Sequence, residues 1–267
     1  MSIADSKVYQ SKKTNLFIIL AGIFLTNAIL AEIIGVKIFS GENTLGLEPA
    51  GWTFFGEYIL DFNLTAGAVI WPIVFITTDI INEYYGKKGV RKISFITAFF
   101  IAYMFIVISL VTVLPPAAFW LDVNSPDADG NPFDINYAFN VIFRQGLGII
   151  IGSLIAFLLG QLVDVYVFQK LRKITGPKMI WLRATGSTLV SQFIDSFVVL
   201  GIAFYIFGNW SWAQVVSVGI INYIYKFGVA ILLTPLLYLG HHLIDRYLGK
   251  EVAEQLTQEA SADTSFL

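Results

Sequence analysis

Cysteine is absent from the 267-residue chain, so disulfides and thiolate metal ligands are excluded. Histidine occurs only at His241 and His242. Both lie at the edge of the last apolar stretch, which leaves no imidazole for chemistry inside the apolar segments. Charge is scarce: 13% of residues are Asp, Glu, Lys or Arg, against about 25% in soluble domains. Nothing resembles a P-loop, so any use of ATP would need a partner. The net charge is −2, and no basic patch of the kind that binds nucleic acid is present. The opening MSIADSKVYQSKKTN lacks an apolar core and a small-residue cleavage site, so no cleaved signal peptide is expected. No cofactor, metal site or catalytic residue is assigned.

Long apolar blocks are what the chain does have. It is 56% hydrophobic with a mean hydropathy of +0.71. Blocks of this length, without amphipathic spacing, predict an all-α polytopic membrane protein. Six spans are expected, at Asn15–Phe39, Leu64–Tyr85, Ile93–Leu114, Ala138–Leu171, Ala184–Phe207 and Trp212–Leu239. They make one domain over 15–240, between tails at 1–14 and 241–267. Charge alternates between the connections. Lys7, Lys12 and Lys13 precede the first span, whereas Glu42, Glu48, Glu57 and Asp61 follow it. Lys87, Lys88, Arg91 and Lys92 come next, then Asp122, Asp127, Asp129 and Asp134, then Arg172, Lys173, Lys178 and Arg183. By the positive-inside rule both termini are cytoplasmic, as expected in a cell inner membrane. Three spans per half would orient the halves oppositely, as in inverted-repeat transporters, and TTDI and FIDS echo each other at matching positions.

Polar residues inside those spans are the functional signal. A carboxylate near mid-membrane costs about 2.5–3.5 kcal/mol on the insertion scale, so it needs a polar cavity or a partner. In the fifth span Ser187, Ser191 and Asp195 recur every four residues on one helix face, with Thr188 and Gln192 beside them. In the sixth, Asn222 and Lys226 share a face, and Lys226 is too deep to reach water comfortably. It needs a counter-charge, and Asp195 is nearest by depth. The pair reads either as a structural tie or as one that opens to a ligand. Asp79, Asn82 and Glu83 share a face of the second span after Pro72; Glu83 also reads as a partner of Lys87 at the water edge. Asn27 lies mid-way along the first span. Arg144 reads as a cavity residue at the outer end of the fourth, and Gln161 and Asp164 lie near its inner end. Gly148, Gly152, Ala156 and Gly160 form a ridge that suits close helix packing. Trp52, Phe54, Phe55 and Tyr58 read as interfacial aromatics, and the third span, free of charge, reads as lipid-facing.

These polar positions form a recognisable pattern: Trp71-Pro72 with Thr78-Asp79, GQLVDVYVFQKLR from Gly160 to Arg172, GSTL followed by Asp195-Ser196, and Tyr223-x-x-Lys226. From Trp71 to Pro235 the chain resembles the queuosine precursor transporter family, also called the VUT family. The resemblance implies import of 7-deazaguanines, chiefly 7-cyano-7-deazaguanine, for tRNA queuosine. A guanine-like edge offers two adjacent donors that one carboxylate can accept. Asp195 or Asp79 would supply it, with Lys226, Gln192, Asn222 and Asn27 as polar partners and Phe75, Phe193, Phe197 or Tyr223 to stack. Two other readings stand beside this one. The chain would be the capture subunit of an ATP-driven vitamin importer, or an intramembrane enzyme with Asp79 and Asp195 as a dyad.

Overall fold

The structure is a computed structural model describing residues 7–54, 58–176 and 179–262. Phe55, Glu57 and Lys178 lie outside the described residues. Helix α1 spans Lys7–Ile34 and begins well before the expected Asn15. A short helix α2 (Gly41–Thr44) and two small two-stranded ladders make up the connection that follows. Strand β1 (Ile38–Ser40) pairs with β4 (Asn63–Thr65), and β2 (Trp52–Phe54) with β3 (Tyr58–Leu60), both antiparallel. This connection is folded around one carboxylate. Glu42 accepts hydrogen bonds from the Phe62 N–H at 2.6 Å and the Ala50 N–H at 3.4 Å, and from the Ser40 hydroxyl. The Phe62 bond, more than the others, holds its carboxyl below the usual range.

Helix α3 (Trp71–Val111) is two helical arms joined at Gly86, whose φ of 62° and ψ of −169° no helix contains. Short helices α4 (Ala118–Val123) and α5 (Ile135–Phe143) precede α6 (Leu147–Thr175). The continuous fourth span expected over Ala138–Leu171 is therefore interrupted at Arg144–Gly146. Helix α7 (Ile180–Leu200) runs into a π-helical turn at Gly201–Ile206. The sixth expected span also breaks. α8 (Trp212–Leu232) ends at Leu233, and α9 (Thr234–Leu248) starts beside Pro235, which has no N–H to continue the ladder. α10 (Lys250–Ala262) is the last element among the described residues.

Five helical stretches are long and apolar enough to cross a membrane: Lys7–Ile34, Trp71–Val111, Ile135–Thr175, Ile180–Ile206 and Trp212–Leu232. Their outer faces are apolar. Phe99, Tyr103, Ile106 and Leu110 form a stripe on the second arm of α3, each more than half exposed. Such a stripe is stable only against lipid, and the protein is an all-α polytopic membrane protein.

The ridge of α6 packs on α7 and the π turn. A Cβ at Gly152 would sit 3.2 Å from the Val199 carbonyl and 3.3 Å from the Ala203 nitrogen. At the end of the bundle where α1 begins, α10 docks through Ala253, Leu256 and Ala260. Glu259 ties it to α1, accepting from the Tyr9 hydroxyl at 2.9 Å and from Lys13 at 2.7 Å. Partial burial pushes the Glu259 carboxyl up, but the Lys13 and Tyr9 hydrogen bonds outweigh it and hold it below its usual value. Because the folded value is depressed, this tie contributes above the ordinary Glu value of about 4.3 and is lost as pH falls through the depressed one. Protection factors of the amides across 250–262, corrected for the pH dependence of intrinsic exchange, should therefore fall between pH 7 and pH 3 in the native protein, and Glu259→Gln should already lower them at pH 7.

Gly86 is fixed twice, by its positive φ and by the Ala260 carbonyl 2.9 Å from where a Cβ would lie. Gly86→Ala should lower stability by about 1–3 kcal/mol, read as a lower melting temperature in detergent.

Candidate functional site

One ion pair holds the centre of the bundle. Lys226 of α8 donates to Asp195 of α7 at 2.5 Å, with the side chains 19% and 24% exposed. The pair lines a cavity of about 420 Å³ that runs toward the acidic end of the bundle, past Glu32, Ile38, Thr65 and Gln145. Trp71, Phe75, Phe157 and Phe204 give it flat apolar walls, and Ser153, Ser196 and Asn222 add polar groups. Trp71 and Phe75 stack with centroids 5.9 Å apart. On the far side the same pair, with Phe75 and Phe157, borders a space of about 30 Å³ lined by Gln161 and Gln192. Asp195 and Lys226 thus form the waist between a large chamber and a narrow polar one.

Beyond the waist the polar groups of three helices converge. Thr78 donates to Gln161 at 3.3 Å, and Ser191 donates to Asp164 at 3.3 Å. Ser187, one turn before Ser191 on α7, is fully buried. Asp79 lies within electrostatic reach of the carboxylates of Asp164 and Glu83, whereas Asp195 is paired with Lys226.

The next turn is a seal of charge. Glu83, 4% exposed, accepts from Arg183 at 2.7 and 3.1 Å. Arg183 also donates to the Gly176 carbonyl and covers the Phe168 ring. Arg172 donates to the Glu83 carbonyl at 3.2 Å and to the Thr257 carbonyl of α10 at 2.7 Å. Gln169 reaches the Asn82 side chain at 2.6 Å. Glu83 and Arg183 were readable as water-edge charges, but both are buried, with the bidentate geometry that favours arginine over lysine.

Asp195, Lys226 and Asn222 thus meet in the cavity, and Gln161 and Gln192 border its narrow extension. Asp79, Asp164 and Ser187 lie deeper, and Glu83 is in the seal. Two expected residues lie elsewhere. Asn27 donates to its own helix, at the Ile23 carbonyl, 2.8 Å away. Arg144 is exposed where α5 ends, and its neighbour Gln145 lines the cavity, donating to the Glu32 carbonyl at 2.9 Å. Of the aromatics, Phe75 is in the wall, whereas Phe193 packs against Tyr223 and is 51% exposed. Sequence reasoning missed Glu32, Ser153 and Trp71 as cavity residues. Glu32 carried a signal, a carboxylate deep in an apolar run, but its distance from the pair in sequence concealed the encounter.

Residues 65–240 match the family described as putative vitamin uptake transporter. The chain belongs to that family of membrane transporters. It is 31% identical over 229 residues to a probable queuosine precursor transporter of Bacillus subtilis, covering 81% of this chain and 93% of that one. It is 30% identical over 177 residues to a protein of the same description in Haemophilus influenzae, covering 64% and 66%. A queuosine precursor transporter of Escherichia coli is 29% identical over 147 residues, covering 55% and 58%. No solved structure matches the chain. The matched region contains the ion pair, the inner polar cluster and the charged residues of the seal; Glu32 lies before it and Thr257 after it.

Removing Glu83 would strand two buried guanidinium groups. Glu83→Gln should cost about 3–5 kcal/mol, seen as loss of monodisperse protein in detergent, and Glu83→Gln with Arg183→Gln should recover part of it.

Proposed function

We propose that the protein is a secondary transporter that imports queuosine precursors, 7-cyano-7-deazaguanine and related 7-deazaguanines, across the cell inner membrane. The observation that carries this is the Asp195–Lys226 pair set in an aromatic-walled cavity within the bundle. A guanine-like edge presents a ring N–H and an exocyclic amine side by side, and the two oxygens of Asp195 match them. Before substrate arrives, Lys226 neutralises Asp195. When it arrives, the ammonium turns to the substrate's carbonyl oxygen, with Asn222 and Gln192 in reach of its remaining polar atoms. Trp71 and Phe75 cover the flat face of the ring. The sequence pattern shared with proteins named queuosine precursor transporters supports the choice of substrate.

In this reading the chain crosses the membrane six times, because the two arms of α3 are separate spans. Its 41 residues would extend about 60 Å if straight, twice the hydrocarbon thickness. Both termini are cytoplasmic. The cavity then faces outward, and the Glu83–Arg183–Arg172 seal with α10 closes the cytoplasmic side. Import requires this seal to part while the waist closes. The absence of cysteine makes the topology testable on a clean background. Ala128→Cys should react with an impermeant thiol reagent on intact cells, and Lys88→Cys only after lysis. External labelling of Lys88→Cys contradicts the orientation.

Cells that lack their own importer should take up labelled 7-cyano-7-deazaguanine only when they carry this protein. Asp195→Asn and Lys226→Met should each cost about 3–5 kcal/mol of stability by stranding the other charge. The double variant should regain membrane yield and still bind the precursor at least about 10-fold more weakly, because an asparagine turns its own amine toward one substrate donor. Unaltered binding by the double variant would assign the pair to structure alone.

A further inference from the structure

The inner cluster between the waist and the seal has more oxygen than hydrogen to satisfy it. Asp79, Asp164 and Gln192 are 6%, 5% and 6% exposed. One oxygen of each, Oδ1 of Asp79, Oδ2 of Asp164 and Oε1 of Gln192, accepts no hydrogen bond from the described protein. Around them stand the Ser191 hydroxyl, which donates to Asp164, and the Thr78–Gln161 pair. Buried ionised carboxylate oxygens without donors are costly unless a cation meets them or a proton neutralises them. The nearest basic groups are committed elsewhere. Arg183, whose charge reaches Asp79, is held by Glu83, and Arg172 by Glu83 and Thr257. Lys226 is held by Asp195. With both aspartates ionised, the local sum is Asp79, Asp164 and Glu83 against Arg172 and Arg183, one negative charge in excess. One monovalent cation balances that state, as a proton would in its absence, and a divalent ion would overshoot. Neutral and anionic oxygens without nitrogen or sulfur ligands suit a hard cation.

We propose that this cluster binds one alkali metal cation between Asp79 of α3, Asp164 of α6 and side-chain oxygens of α7, among them Ser191 and Gln192. The site would join three helices that also form the waist and the seal. Cation occupancy would thereby stabilise the arrangement that presents Asp195 to the cavity, and its release toward the cytoplasm would follow parting of the seal. The binding step does not depend on which solute is carried, so it is tested without substrate.

The test uses the purified full-length protein and compares melting temperatures in NaCl, KCl and choline chloride at equal ionic strength and fixed pH. Sodium or potassium should raise the melting temperature of the unaltered protein by at least about 2 °C over choline. Asp164→Asn should abolish that rise while melting no lower in choline than the unaltered protein does, since it removes the excess charge. Ser191→Ala, a smaller change, should weaken the response, requiring several-fold more cation for half the shift. Which alkali ion gives the larger rise identifies the ion. Equal melting in all three salts for the unaltered protein overturns the proposal, even if no variant folds. So does a response that persists undiminished in Asp164→Asn. A failure here with precursor uptake intact would leave the substrate reading standing.

Discussion

The structure depends on the contact between Asp195 and Lys226. Either charge alone in a bilayer interior carries a desolvation cost of several kcal/mol, and together they offset it only at close range with good geometry. The 2.5 Å contact fixes α8 against α7 in rotation and depth. Once those helices are placed, Asn222 turns into the cavity and Gln192 faces the waist. A hydrophobic contact would have packed the same helices without imposing register, because lipid competes with apolar side chains and not with a salt bridge. In the proposed reading, the partial exposure of both groups to the cavity would let a polar solute compete for them.

One face of α3 orders the rest. Trp71, Phe75, Asp79 and Glu83 recur every four residues, and in turn they meet the cavity, the waist, the inner cluster and the seal. Over about 18 Å of helix the environment changes from aromatic to polar to fully ion-paired. In the proposed reading, a solute moving along this face would meet Asp195 before the charge seal. The barrier is made of charge and not of packed apolar side chains, and it draws on α3, α6, α7 and α10 at once. An opening motion that separates any one of these breaks several charge-assisted hydrogen bonds together, so opening is expected to be a concerted event. The break at Arg144–Gly146 and the π turn at Gly201–Ile206 adjoin the large cavity, at the opposite side from the seal.

Much of this was legible in the sequence because the membrane penalises polar residues steeply. Asp195, Lys226, Asp79, Asp164 and Gln161 stand out in apolar runs, and their depths alone paired Asp195 with Lys226. The α6 ridge was likewise readable, since small residues at a spacing of four have one common use. Partners that depend on long-range geometry were not. Arg183 looked like one more basic residue in a loop, yet it caps a buried carboxylate 100 positions away. Glu32 shares a cavity with Asp195 only because α1 packs beside α3. The tail from Lys250 lacked an apolar run, but Ala253, Leu256 and Ala260 at helical spacing dock it against Gly86. Breaks inside the fourth and sixth spans also escaped, because hydropathy continues across Arg144–Gly146 and Leu233 while the backbone does not.

The central claim is that Asp195 reads the donor edge of the solute while Lys226 leaves it. A structure of the protein with bound 7-cyano-7-deazaguanine tests it directly. The account predicts the ring N–H and exocyclic amine within hydrogen-bond distance of the two Asp195 oxygens, with the Lys226 ammonium shifted to the substrate carbonyl. An intact Asp195–Lys226 contact, with the solute's donor edge on another carboxylate such as Glu32 or Asp79, would contradict it.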